Sequence, residues 1–262
     1  MSISFMVGPH RVRFAGKTDI GLVRAHNEDS LLIPREMPLA VVSDGMGGHA
    51  AGDVASRITV ETIDQYYRDT SRSGPATWPF KLPSLEVEKS RMAVAVQLAN
   101  SNIFETAQAE AGKKGMGCTV DAIYFNQGRF FIGHVGDSRV YRIREGRIQM
   151  LTEDHSLLND FLRMKELSGD EGFHFPQKNV VVRALGLAEQ VHVDVIADAF
   201  KIGDIYLLCS DGLCGMLDDR VMLEIITARD SLDSSCNELI KAANDAGGND
   251  NITAILIRVE KP

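Results

Sequence analysis

Six acidic residues stand where apolar runs begin or end. Asp44 closes Leu39-Ala-Val-Val-Ser, Asp211 closes Ile205-Tyr-Leu-Leu-Cys-Ser, and each is followed by glycine. Asp137 follows the run Phe130 to Val135 after Gly136, Asp250 precedes Ile252-Thr-Ala-Ile-Leu-Ile257, and Glu28 and Asp29 precede Ser30-Leu-Leu-Ile33. Asp-Gly after a strand is also a favourable turn, so one such aspartate alone carries little. The set carries more, because glycines beside Asp44, Asp137 and Asp211 let the backbone approach a ligand closely. If these strand ends meet, carboxylates drawn partly out of water repel one another unless a cation neutralises them. Oxygen ligands without a histidine or thiol cluster favour Mg²⁺ or Mn²⁺ over zinc. Two such ions about 3.5–4 Å apart can share a nucleophilic water.

The elements that must position these acids are legible as apolar runs. Strands are expected at Arg11 to Gly16, Leu31 to Ile33, Leu39 to Val42, Val120 to Phe125, Phe130 to Val135, Arg139 to Ile143 and Ile148 to Thr152. Further strands are expected at Val180 to Arg183, Val191 to Ile196, Ile205 to Cys209 and Ile252 to Val259. Asn126-Gln-Gly128-Arg and Glu145-Gly146 are loops suited to hairpins, which argues for antiparallel pairing. Helical spacing runs through Val54, Ile58, Thr62 and Tyr66, and through Met92, Val96, Ala99, Ile103 and Ala107 within Ser84 to Ala109. Later helices are expected over Ser156 to Glu166, Asp219 to Ala228 and Ser234 to Ala246. Strands and helices do not alternate one for one, so the expected class is an α+β sandwich. Thr70 to Pro83 and Ser168 to Lys178 read as loops, and neither divides the chain; one domain over residues 1–262 is the expectation.

Bulk properties narrow the function. A net charge of −8 argues against nucleic acid as a partner, and no apolar run reaches the roughly 20 residues that span a bilayer. The N-terminus lacks a basic segment followed by a secretory apolar stretch, and Cys118, Cys209, Cys214 and Cys236 show neither disulfide nor metal-pair spacing. A cytoplasmic, monomeric protein is expected.

Five segments carry a family resemblance: Gly21-Leu-Val-Arg24-Ala-His-Asn-Glu28-Asp29-Ser, Asp44-Gly45-Met-Gly-Gly48, Gly136-Asp137-Ser-Arg139, Ser210-Asp211-Gly212 and Asp250-Asn251. Together with Leu151-Thr-Glu-Asp-His155-Ser and Val182-Arg183-Ala-Leu-Gly186 they resemble, in order, the bacterial branch of the PPM (protein phosphatase 2C-like) metal-dependent phosphatases. The resemblance implies two packed antiparallel β-sheets flanked by helices, an α-β-β-α sandwich with two Mn²⁺ or Mg²⁺ ions at one edge. It implies hydrolysis of phosphoserine and phosphothreonine in proteins by a water bridging the two ions, without a phosphoenzyme. Its implied partners are phosphorylated proteins, a serine/threonine kinase or its targets.

On matching positions the resemblance makes Asp44 the bridging ligand and Gly45 a carbonyl ligand, with Asp211 and Asp250 completing the set. Glu28 and Asp29 would act through bound water or from behind, and Asp137 with Asp211 would hold the third ion seen in some members. Arg24 would grip phosphate through paired guanidinium hydrogen bonds. A flap is implied at about residues 156–178. Two departures stand out: Met46 occupies a position where many eukaryotic relatives carry a proton-donating histidine, leaving His49 or a water, and Cys118 replaces a common threonine or serine. His26 and His155 read more simply as structural than as catalytic.

Two other chemistries compete. Cys214 to Arg220 has the Cys-x5-Arg spacing of thiolate phosphatases, but Asp218 and Asp219 inside it would repel phosphate and oppose a thiolate. A non-catalytic phosphoprotein-binding or scaffold module would be marked by lost ligands, and none is lost.

Overall fold

Runs that alternate between two apolar faces assemble here into two stacked sheets with helices outside them. In chain order the strands are β1 (Ile3–Val7), β2 (His10–Asp19), β3 (Ser30–Leu32), β4 (Leu39–Ser43), β5 (Gly45–Met46), β6 (Gly117–Cys118) and β7 (Val120–Asn126). They continue as β8 (Arg129–Val135), β9 (Arg139–Arg144), β10 (Arg147–Met150), β11 (Asp194–Ala199), β12 (Ile205–Cys209) and β13 (Ile252–Glu260). The helices are α1 (Gly52–Ser73), α2 (Ser84–Ala109), α3 (Leu157–Arg163), α4 (Asp211–Cys214), α5 (Asp219–Thr227) and α6 (Leu232–Asp245). The computed structural model describes residues 2–46, 51–73, 84–163, 180–229 and 231–262.

One sheet has the order β1-β2-β13-β12-β9-β10 and the other β11-β8-β7-β4-β3, every pair antiparallel, with a short β5-β6 ribbon beside them. Both expected hairpin turns form. Gln127 and Gly128 have φ of 47° and 78°, and Glu145 and Gly146 have 53° and 72°. Positive φ at both central positions matches the right-handed twist of the flanking strands.

Period two explains why β4 and β12 read as unbroken apolar runs. Leu39 and Val41 face α1 and α2, whereas Ala40 and Val42 face the other sheet. Leu207 and Cys209 likewise pack under α5 and α6, and Tyr206 and Leu208 point into the layer between the sheets. That middle layer is aromatic, with Phe125 against Phe14 at 5.9 Å and against Tyr206 at 5.5 Å, both edge to face. Helices α5 and α6 start on side-chain caps: Asp218 accepts from the Val221 amide and Ser231 from that of Ser234. No helix among the described residues is long and apolar enough to cross a membrane.

Three expectations shift. Val180 to Arg183 forms no strand, only an isolated bridge between Val181 and Ser156. The strand expected at Val191 to Ile196 lies three residues later, because its pairing with β8 sets Asp194 opposite His134. The β1 strand was not anticipated, and it pairs with β2 across Gly8 and Pro9. Of the implied flap, α3 lies within the described residues and 164–178 outside them; most of the expected loop of residues 70–83 and His49 also lie outside.

Candidate metal centre

The two Ser-Asp-Gly copies end β4 and β12, strands of different sheets, and each serine hydroxyl fixes its aspartate's neighbourhood by bonding a separate segment of chain. Ser43 donates its hydroxyl to the Thr119 carbonyl at 2.7 Å, and the Asp44 amide donates to Thr119 Oγ1 at 3.0 Å. Thr119 Oγ1 also shares a hydrogen bond with Ser138 at 2.7 Å, so Asp44 and the turn bearing Asp137 hang on one threonine. Ser210 donates to Asp29 Oδ2 at 2.8 Å, and Thr253 donates to the same oxygen at 2.6 Å.

Asn251 organises the third side. Its Oδ1 accepts from the Glu28 amide at 2.8 Å, and its Nδ2 donates to the carbonyls of Ile20 and His26 at 3.0 and 2.9 Å. One side chain thereby pins the loop carrying Arg24 and Glu28 to the start of β13, next to Asp250. Sequence reading assigned no role to Thr119, Ser210, Thr253 or Asn251. The repeated serine before each Asp-Gly was the available signal.

The glycines after the aspartates are required sterically. A Cβ on Gly212 would overlap the carbonyl oxygen of Asn251, and one on Gly45 would overlap that of Gly52. Gly212→Ala is therefore expected to force α4 and the Asp250-Asn251 segment apart and to cost about 1–3 kcal/mol, the usual scale of overpacking. A lowered urea midpoint together with lost metal binding would be the measurement. An unchanged midpoint would contradict the steric reading.

Electrostatically the site is overloaded with negative charge. Burial first, then the charges of Asp29, Asp211, Asp137 and Asp250, push Asp44 well above the usual carboxylate range. Burial lifts Asp29 to about 7 against the two hydroxyl bonds it accepts, and lifts Asp137 to about 7 with help from Asp211 and Asp154. Asp211 is raised too, by burial and then by Asp250, although a hydrogen bond with Asp44 opposes the shift. Asp29 Oδ1 and Asp211 Oδ1 are buried without a hydrogen-bond partner.

Arg24 supplies the remaining positive charge, donating to Asp250 Oδ2 at 2.6 Å with half its side chain exposed. Its guanidinium sits beside acids of which, among the described residues, no three His, Cys, Asp or Glu side chains close into a cage. All-oxygen donors, orphaned buried acceptors and mutual repulsion are what a hard divalent cation would relieve. The donor set fits Mg²⁺ or Mn²⁺.

The competing residues fall elsewhere. Arg220 is largely exposed and pairs with Glu224 at 3.0 Å, while Cys214 Sγ turns to the Ser210 carbonyl, so no thiolate loop forms. His155 is buried behind the Asp137 turn, its Nδ1 accepting from the Gly136 amide at 3.0 Å and its Nε2 2.8 Å from Arg183. Burial, followed by the charges of His134 and Arg183, lowers it to about 4. It holds a turn rather than facing substrate.

Comparison with known proteins agrees with this arrangement. Residues 23–256 match the sequence profile of protein phosphatase 2C. Serine/threonine phosphatase stp of Listeria innocua is 36% identical over 244 residues, covering 92% of this chain and 93% of that protein. A solved serine/threonine phosphatase of S. agalactiae superposes with a TM-score of 0.86 at 33% identity, covering 95% of this chain and all of that one. The catalytic domain of the phosphatase PstP, solved in complex with two manganese ions, superposes with a TM-score of 0.80 at 30% identity over 95% of this chain and 98% of that one. With the match spanning nearly every strand that carries an acid, the chain belongs to the protein phosphatase 2C family of metal-dependent phosphatases.

Proposed function

We propose that the chain removes phosphate from phosphoserine and phosphothreonine in proteins, with two Mn²⁺ or Mg²⁺ ions held between Asp44, Asp211 and Asp250. The observation that carries this reading is the convergence of these carboxylates from both sheets, with a buried oxygen of Asp211 left unpartnered. When bound, the ions supply a water of lowered pKa and positive charge opposite the phosphoryl oxygens.

The chain's own residues do the positioning. Asp44, on which the charges of four neighbouring aspartates act, would hold the ions, with the Gly45 carbonyl beside it and Asp211 and Asp250 completing the set. Asp29, one oxygen already fixed by Ser210 and Thr253, and Glu28, fixed at its amide by Asn251, orient water from behind. Asp137 with Asp211 would hold a further, more weakly bound cation. With Asp250 engaged in holding a cation, Arg24 would be free to clamp two phosphoryl oxygens through paired hydrogen bonds.

A phosphothreonine peptide assayed with Mn²⁺ tests this. Chelation and Asp211→Asn are each expected to reduce phosphate release at least about 10³-fold, the scale of lost preorganised charge stabilisation. Added Mn²⁺ should restore the chelated enzyme and not the variant. Undiminished release after chelation would sink the mechanism, and peptide binding without release would favour a scaffold module.

The finer reading is a cytoplasmic monomer acting as one catalytic unit on a serine/threonine kinase or its targets. Four free cysteines support the compartment.

A further inference from the structure

Leu22 and Val23 are 69% and 66% exposed, more than any other large apolar side chain among the described residues. Their exposure does not come from a loose loop. The Leu22 amide donates to the Gly248 carbonyl at 2.8 Å, and the Gly21 amide to Asp19 Oδ1 at 3.0 Å. Asn251 holds the carbonyls of Ile20 and His26 on either side, and Ile20 is itself 39% exposed. Two large apolar side chains are therefore held out in water by a segment pinned at both ends. Water is unfavourable for such groups, and folding has not covered them.

The next residue is Arg24, on Asp250 at 2.6 Å and close enough to Glu28 and Asp44 for both to act on its charge. Whatever brings a phosphoryl group to Arg24 must pass its own neighbouring atoms over Leu22 and Val23. A small phosphate ester has nothing to lay there, whereas a phosphorylated polypeptide has residues one and two positions away.

We infer that Leu22 and Val23 form an apolar shoulder that receives the residues flanking the phosphorylated side chain of a protein substrate, favouring apolar neighbours over acidic ones. This rests on the phosphatase reading above. The apolar preference follows from the shoulder, and the discrimination against acidic neighbours follows from Glu28 and Asp250 beside it.

The test compares three phosphothreonine peptides, identical except for leucine and valine, serine and glycine, or glutamate at the flanking positions, with p-nitrophenyl phosphate as a substrate that has no flanks. The natural enzyme is expected to prefer the apolar peptide over the serine peptide about tenfold in kcat/KM, the scale set by one well-placed apolar group. The double variant Leu22→Ser/Val23→Ser is expected to bring that ratio within about twofold of unity through KM, with p-nitrophenyl phosphate turnover and thermal midpoint unchanged, as for a surface site. A preference that survives the double variant would overturn the inference. So would a parallel loss on p-nitrophenyl phosphate, which would mean the pair only braces Arg24, or a dimer that the variant dissociates without changing peptide selectivity. Silence of the natural enzyme on all four substrates would instead remove the phosphatase reading, and the shoulder with it.

Discussion

Asp44→Asn is expected to abolish phosphatase activity and, at the same time, to raise the melting temperature of the metal-free protein. Both effects come from one property. Asp44 lies among Asp29, Asp211, Asp137 and Asp250, and their charges add to burial in driving its proton affinity up. In catalysis that crowding is what gathers cations, so removing the bridging carboxylate should lower kcat/KM at least about 10³-fold even in saturating Mn²⁺. Without metal the same crowding is strain. An asparagine amide can still donate to the neighbouring Asp211 carboxylate while carrying no charge of its own. Relief of about 1–2 kcal/mol would be ordinary for a destabilised active site, and in a chain of this size it corresponds to a rise of about 2–4 °C. Activity on p-nitrophenyl phosphate and a thermal scan in chelator measure the two halves. A lowered melting temperature would mean that Asp44 supports the fold rather than burdening it.

The acids were readable because strand ends and turn glycines leave strong local marks, and the charges of Asp211 and Asp250 act on Asp44 across the two sheets. Their partners were less readable, for a physical reason. Thr119 and Asn251 act through hydrogen bonds to distant segments, and nothing in local periodicity registers an amide 223 residues away in the chain, as with Asn251 and the Glu28 amide. Arg24 shows the same divide. Its motif pointed to phosphate, but its resting partner Asp250 is set by tertiary contact 226 residues along the chain. The fold class followed from antiparallel hairpins and two-faced apolar strands. Val180 to Arg183 misled because an apolar run can lie in an extended loop held by one bridge, where no neighbouring strand offers a ladder.

Protons and metal ions should compete for this site, and stability should report the competition. In chelator the protein is expected to be most stable near pH 4 and to weaken as the pH climbs from there through 7. Asp29 and Asp137 are lifted to about 7, chiefly by burial, whereas an aspartate in an unfolded chain titrates near 3.9. Between those values the folded chain keeps protons that the unfolded chain has released, so each step up in pH favours unfolding. The contribution is complete below about pH 4 and is lost once the pH passes about 7. For a single carboxylate moved by about three pH units the linkage is worth about 4 kcal/mol, and neighbours that titrate together contribute less than that each. Below about pH 4 the slope reverses. Despite their burial, Asp194, hydrogen-bonded to His155 beside Arg183, and Asp204, hydrogen-bonded to Arg144, are held under the ordinary value and lose those interactions on protonation. Saturating Mn²⁺ should flatten the fall above pH 5, because a cation that binds only the folded chain takes the place of the protons and adds about 2.7 kcal/mol at a hundredfold excess over its Kd. Urea midpoints at intervals from pH 5 to 8, with chelator and with Mn²⁺, measure both curves. Stability that rises with pH in chelator over that range would show that the carboxylates are satisfied without a cation, and the metal assignment would fall with it.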